Sequence, residues 1–261
     1  MSSMSKKSVR KRKLNKKKLL IVICFLMIAI FSVFKIIQYG LGALSSAKLK
    51  SKNSHGIVID NEQFELGDES ENANKKFTVL VDAGHGGYDK GTSGKLTNVY
   101  EKDLSLQIAK KVANKLAKQD DVQVVVTRKE DRYVSLSDRP KVVKDQEVDL
   151  LVSIHLNAEK NGNTATGIET YYKNGAEDGS KELARIVQDT MISYVPTNDR
   201  GILGNNFEIL REAQMPAILV ECGFLTTPEE EQKLLNQKYQ DQLTEGIVQG
   251  ILSFLDQKSK G

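Results

Sequence analysis

Of the three histidines in this 261-residue chain, two stand at the ends of short apolar runs. Phe77–Val81 leads into Asp82-Ala-Gly-His85-Gly-Gly87, and Leu150–Ile154 leads into His155-Leu-Asn157. A third such run, Ala217–Val220, leads directly into Glu221, followed by Cys222-Gly-Phe224. Imidazoles serve as proton carriers or metal ligands at neutral pH. An acid at the end of an apolar strand needs a compensating partner. Glu101 adds a second carboxylate, spaced i, i+3, i+7 with Leu104 and Ile108. On a helix that spacing turns it inward with the apolar face. Two neutral imidazoles and one carboxylate form a suitable ligand set for zinc, leaving a fourth position for water.

Taken singly, each residue has a plainer explanation. Gly84-His85-Gly86-Gly87 could be a tight turn after a strand. His155 alone reads as a hydrogen-bonded core histidine, and Glu101 alone as a first-turn acid favoured by the helix dipole. The functional reading rests on their occurring together at one edge of one sheet. Ligands of open α/β sheets bind at the carboxyl ends of the strands.

That edge must be built by the surrounding elements. Apolar runs rich in Val, Ile and aromatics predict strands at Phe77–Val81, Val122–Val126, Leu150–Ile154, Ile168–Tyr172, Phe207–Leu210 and Ala217–Val220. Between them, helical spacing predicts a helix opening near Asn98 and running from Glu101 to Leu116. A second is expected over Ser180–Tyr194, and a third from Pro228 to about Leu255. The expected fold is α/β: a single layered domain, residues 77–261, with a six-stranded, mostly parallel twisted sheet flanked by helices. Cys222 should point to the face opposite Glu221, which makes it a buried small residue and not a nucleophile.

The remainder of the chain reads as a delivery device. Residues 1–18 hold nine Lys and Arg and no acid, and removing these from the formal net charge of +4 leaves the rest near −5. A mildly acidic body argues against nucleic acid as a partner. Leu19–Phe34, extended by Lys35-Ile36-Ile37, is long enough to cross a bilayer once Lys35 snorkels. Residues 19–37 are therefore expected to be a transmembrane signal-anchor, with 1–18 as a basic cytoplasmic tail. Cleavage near Ala47 would instead release the protein. Polar residues 38–76 form an extracytoplasmic tether spanning roughly 35 Å as a random coil. Only Cys24 and Cys222 are present, one in the span and one in the domain, so no intrachain disulfide is expected.

Six segments, in order, carry a resemblance over about residues 77–255. They are Val81-Asp-Ala-Gly-His-Gly-Gly87, Glu101, Thr127-Arg128 with Asp131, Leu136-Ser-Asp-Arg139, Ser153-Ile-His-Leu-Asn-Ala158 and Pro216-Ala-Ile-Leu-Val-Glu-Cys-Gly-Phe-Leu225. Together they resemble the zinc-dependent N-acetylmuramoyl-L-alanine amidases of the third amidase family. The resemblance implies one zinc ion held by His85, Glu101 and His155, and Glu221 as catalytic acid/base. It also implies supporting roles for Asn157 and Arg128. The substrate would be peptidoglycan, hydrolysed by zinc-activated water at the amide between the lactyl group of N-acetylmuramic acid and L-alanine. The segment after Arg139 departs from the family's smoother helix. The stretch between His155 and Glu221 is filled by ordinary elements, with no room for the plugging helix of some relatives. Two other readings stay open on the residues alone. One is a zinc peptidase acting on wall peptides, the other a non-catalytic wall-binding module.

Overall fold

The computed structural model describes residues 76–141 and 147–260. The expected membrane span and tether lie outside them. Six strands form one mixed sheet: β1 (Phe77–Ala83), β2 (Val122–Val126), β3 (Leu150–Asn157), β4 (Ile168–Lys173), β5 (Asp199–Asn205) and β6 (Ala217–Phe224). Their spatial order is β2-β1-β3-β6-β4-β5. All neighbouring pairs are parallel except β4 with β6, which is antiparallel. The helices are α1 (Glu101–Leu116), α2 (Ser180–Tyr194), α3 (Glu208–Glu212), α4 (Pro228–Leu235) and α5 (Gln237–Lys260). Among the described residues no helix is long and apolar enough to cross a membrane.

Side chains alternate across a strand with period two, and the register shows what each face receives. Val79, Val81 and Ala83 of β1 join Val152, Ile154 and Leu156 of β3 and Ile218, Val220 and Cys222 of β6 in one buried cluster. Leu104, Ile108 and Val112 of α1, Leu183 and Val187 of α2, and Leu243, Ile247 and Ile251 of α5 cover it. The intervening residues form the other face. Leu80, Leu151, Ala217 and Leu219 pack there on Ile209 and Leu210 of the short α3. Further along the same rows come Asp82, Ser153, His155 and Glu221, aligned strand to strand. This second face is apolar where the strands begin and polar where β1, β3 and β6 end.

The sequence expectations hold for most elements and fail at three. Phe207–Leu210 is not a strand: it leads into α3, whose Ile209 and Leu210 are buried against the second face. The sixth strand is instead Asp199–Asn205, an edge strand with mostly half-buried or exposed residues. The helix after Pro228 is broken at Asn236, which has extended backbone angles (φ −81°, ψ 119°). Asn236 Oδ1 accepts the Tyr239 N–H at 3.1 Å and so caps the start of α5. Asn98 has φ 54°, a left-handed conformation that no helix contains, and α1 opens at Glu101.

Candidate metal centre and its surroundings

The loop after β1 carries the first candidate ligand, and its conformation explains its glycines. His85, Gly86 and Gly87 have φ of 59°, 132° and 62°, all in the left-handed half of backbone space. Glycine tolerates this freely and histidine at some cost. Two buried arginines hold the strained turn. Arg139 donates to the carbonyls of Ala83 (2.7 Å) and His85 (2.8 Å). Arg128 donates to those of Ala83 (3.0 Å) and Gly84 (2.8 Å), and to that of Lys102 at the start of α1 (2.8 Å). Strain of this kind persists only where surrounding contacts over-determine it. Gly84 has a separate reason to lack a side chain. A Cβ there would come within 2.5 Å of the His155 ring.

Beneath the loop, Asp82 is fully buried and fully used. Its Oδ1 accepts from Thr127 Oγ1 (2.7 Å) and Arg139 Nη1 (2.8 Å), and its Oδ2 from Ser153 Oγ (2.6 Å). Burial alone would raise its pKa, but Arg139 and the two hydroxyls outweigh it and hold the carboxyl below its ordinary range.

Donor atoms of His85, Glu101 and His155 lie within 4.8 Å of one another. Glu101, 4% exposed, occupies the first turn of α1 beside Leu104, as its spacing requires. Its Oε1 is 3.1 Å from His85 Nε2 and 3.0 Å from His155 Nδ1. Donors bound tetrahedrally to zinc at 2.0–2.1 Å stand about 3.3 Å apart, close to both separations. The Glu101 carboxylate is aimed by the chain itself. Leu156 N–H donates to Oε1 at 3.1 Å and Thr92 N–H to Oε2 at 2.9 Å. The other ring nitrogen of His85 approaches Asp89 Oδ1 at 2.9 Å, short of hydrogen-bond alignment. Carboxylates beside ligating histidines commonly orient the ring in this way.

The electrostatics favour a cation. Burial works against charge on either imidazole, yet Glu101 prevails, lifting His85 to about 9 and raising His155 as well. Burial likewise opposes ionisation of Glu101, and the two rings overcome it, so the carboxyl stays well below its ordinary range. A pocket that draws protons onto two half-buried rings lacks positive charge, and a dication supplies it. The residues present therefore fit a zinc ion.

Glu221 sits beside this cluster and outside it. It pairs in register with His155 on β3 and with Glu169 on β4. Burial raises its pKa to about 7, the histidines partly opposing and Glu101 and Glu169 assisting. Its Oε2 is buried without a hydrogen-bond partner among the described residues. An orphaned acceptor of this kind calls for a ligand or a water. Cys222 points to the helix-covered face, where burial pushes its thiol up and leaves it inert.

All four expected residues are thus brought together, but within strands as much as beyond them. β3 runs on through His155 to Asn157, and β6 through Glu221 to Phe224. Arg128 shores up the first loop, and Asn157 donates to Glu169 at 2.7 Å. Glu169 itself was not singled out from sequence. An acid within the otherwise apolar Ile168–Tyr172 run was the available signal, carrying the same oddity that marked Glu221.

The family model for N-acetylmuramoyl-L-alanine amidase (Amidase_3) matches residues 79–253. The amidase LytC of Bacillus subtilis is 33% identical over 178 residues, covering 68% of this chain and 35% of LytC, so the chain spans about a third of that relative's length. A crystal structure of N-acetylmuramoyl-L-alanine amidase from Clostridium difficile 630 is 68% identical, with a TM-score of 0.69, covering 72% of this chain and all of that one. The amidase AmiC2 of Nostoc punctiforme is 37% identical, with a TM-score of 0.66, over 70% of this chain and 99% of its own. The parallel rows that set His155 beside Glu221, and the loop that brings His85 to Glu101, belong to a chain of the third N-acetylmuramoyl-L-alanine amidase family.

Proposed function

We propose that this protein hydrolyses the amide between the lactyl group of N-acetylmuramic acid and L-alanine in peptidoglycan, using one zinc ion held by His85, Glu101 and His155. The observation that carries this reading is the three-donor cluster with Glu221 beside it, its buried oxygen unpartnered. Zinc, when bound, lowers the pKa of a water towards neutrality and stabilises the oxyanion of amide hydrolysis. Glu221 takes the proton of the attacking water and passes it to the departing L-alanine nitrogen. Burial raises the Glu221 carboxyl above its ordinary range in the metal-free site, and a less acidic carboxyl takes up a proton more readily. Asp89 and the two arginines hold His85, while the backbone N–H groups of Thr92 and Leu156 hold Glu101.

The same proposal places the domain outside the cell. Residues 1–18 stay in the cytoplasm, 19–37 anchor the chain in the membrane as a single pass, and 38–76 carry residues 77–261 towards the wall. The partners are peptidoglycan and the lipid bilayer.

Digesting purified cell wall tests the reaction. New α-amino groups should appear on L-alanine, and new amines on other residues instead would mean a peptidase. On the same preparations, Glu221→Gln should keep near-stoichiometric zinc while turnover falls roughly 10²–10⁴-fold. Loss of zinc from that variant would make Glu221 a ligand, and retained turnover would remove it from the mechanism.

A further inference from the structure

The edge strand that the sequence concealed carries a side chain built as carefully as the metal ligands. Between β4 and β5 the register moves from Ile168↔Asp199 to Thr170↔Ile202. Glu169 is therefore opposed by two residues, Arg200 and Gly201. Bulges of this kind re-aim side chains and gather beside active sites. Asp199 fixes the bulge from the helix side. Its Oδ1 accepts from buried Gln188 (2.7 Å) and from the Gly201 N–H (2.8 Å). Gly167, with φ 107°, lies against the turn into β5: a Cβ there would come 2.4 Å from the Asn198 carbonyl oxygen and 3.1 Å from Arg200 Cγ.

Arg200 is then tied at two points. Its Nε donates to Glu169 Oε2 at 2.6 Å, and its guanidinium carbon lies 4.8 Å from the centre of the Phe224 ring. Glu169 is 3% exposed, and its other oxygen already accepts from Asn157 and from the Tyr171 hydroxyl, each at 2.7 Å. Were Arg200 present only to neutralise Glu169, the two-pronged fork would be the favoured arrangement. Only Nε is engaged. The two terminal nitrogens have no partner among the described residues, and the side chain is 41% exposed. That free end is the part of a guanidinium that matches a carboxylate.

Its position indicates which carboxylate. Glu169 lies directly across from Glu221 on the neighbouring strand, and Phe224 belongs to the same strand as Glu221. Adjacent strands are about 4.8 Å apart, and an extended peptide advances about 3.4 Å per residue. A chain leaving the scissile amide thus reaches the guanidinium about two residues on. The lactyl carboxyl is consumed in the scissile amide, so a free carboxylate must come from the peptide side.

We propose that Arg200, aimed by the β5 bulge and Glu169, is a specificity residue that binds a free carboxylate on the stem-peptide residue following L-alanine. The proposal rests on the amidase reading above.

The test uses the full-length chain and two synthetic muramoyl peptides. They are identical except that the residue after L-alanine carries a free carboxylate or a primary amide. The wild type should favour the acid in kcat/KM by about tenfold to a hundredfold, as a charge-assisted pair would give. Arg200→Ala should bring the acid-to-amide ratio to within about twofold of one, and Arg200→Lys should fall between, since an ammonium lacks the fork. A wild-type ratio near one overturns the inference, as does an Arg200→Ala enzyme that slows on both substrates with its ratio unchanged. A wild type that liberates the L-alanine α-amino group of neither substrate overturns the amidase reading and this inference with it.

Discussion

Ile154 and His155 are neighbours in one strand with opposite fates, and the same holds for Glu221 and Cys222 in the strand beside it. Ile154 and Cys222 enter the helix-covered face, where they are fully buried. His155 and Glu221 enter the other face, at the end of a row that begins with Leu151 and Ala217. Each strand serves two purposes at once because its side chains alternate. The apolar half of the second face anchors register, and the polar half inherits that register. A one-residue slip of β3 or β6 would bury the chemistry and expose the core.

This contrast can be broken most severely at His155. His155→Ala should lose zinc and all measurable hydrolysis together, since on the proposed reading it removes one of three ligands. Metal content and turnover on the same folded sample check this, and zinc retained at wild-type level would refute the ligand assignment. One residue back, Ile154→Ala should cost about 3 kcal/mol of stability through the cavity it leaves. Zinc bound per folded molecule should remain unchanged. Denaturant titration paired with metal analysis would separate the two faces. Equal zinc loss in both variants would show that they are not independent.

The next effect is smaller and depends on pH. In the metal-free protein Glu221 has a folded pKa of about 7, above its ordinary value of 4.5. The fold therefore binds this proton more tightly than the unfolded chain does. The resulting penalty is absent below about pH 4.5, builds between there and pH 7, and is complete above. Metal-free Glu221→Gln should accordingly gain on the order of 3 kcal/mol over wild type at pH 8 and nothing at pH 4. Melting curves of the two proteins across that range would decide, and a pH-independent difference would mean that Glu221 is not held protonated. Smallest of all, Cys222→Ala should cost about 1 kcal/mol while keeping zinc and turnover. A loss of activity beyond a fewfold would place the thiol in the chemistry after all.

How much of this was legible beforehand follows from the same geometry. β1, β3 and β6 were readable because both faces of each are buried over most of its length, giving dense apolar runs. His85, His155 and Glu221 stood out as polar residues terminating those runs, and Glu101 as an acid on an apolar helix stripe. β5 was missed because an edge strand can hold Asp199, Arg200 and two glycines without packing cost. Phe207–Leu210 was misread since a short apolar run suits a buried strand or one turn of helix equally. Glu169 was marked only as an acid in an apolar run, and nothing local tied it to Arg200. The pair depends on β5 lying parallel to β4 with a bulge opposite Glu169, and only the spatial order of the strands reveals that neighbour. The break at Asn236 is a single cap within a long amphipathic pattern, which periodicity alone passes over.

The donors that hold Glu101, the N–H groups of Thr92 and Leu156, belong to the fold and owe nothing to a metal. On the zinc reading, the ion would meet a carboxylate already aimed by the fold and would add to its stability, unlike small domains that collapse only around their ion. On the proposed zinc chemistry and topology, the supply of free zinc would set the active fraction of enzyme as a dimmer sets a lamp. A chain emptied of its ion would remain compact, poor prey for proteases, and ready to resume work when the ion returns.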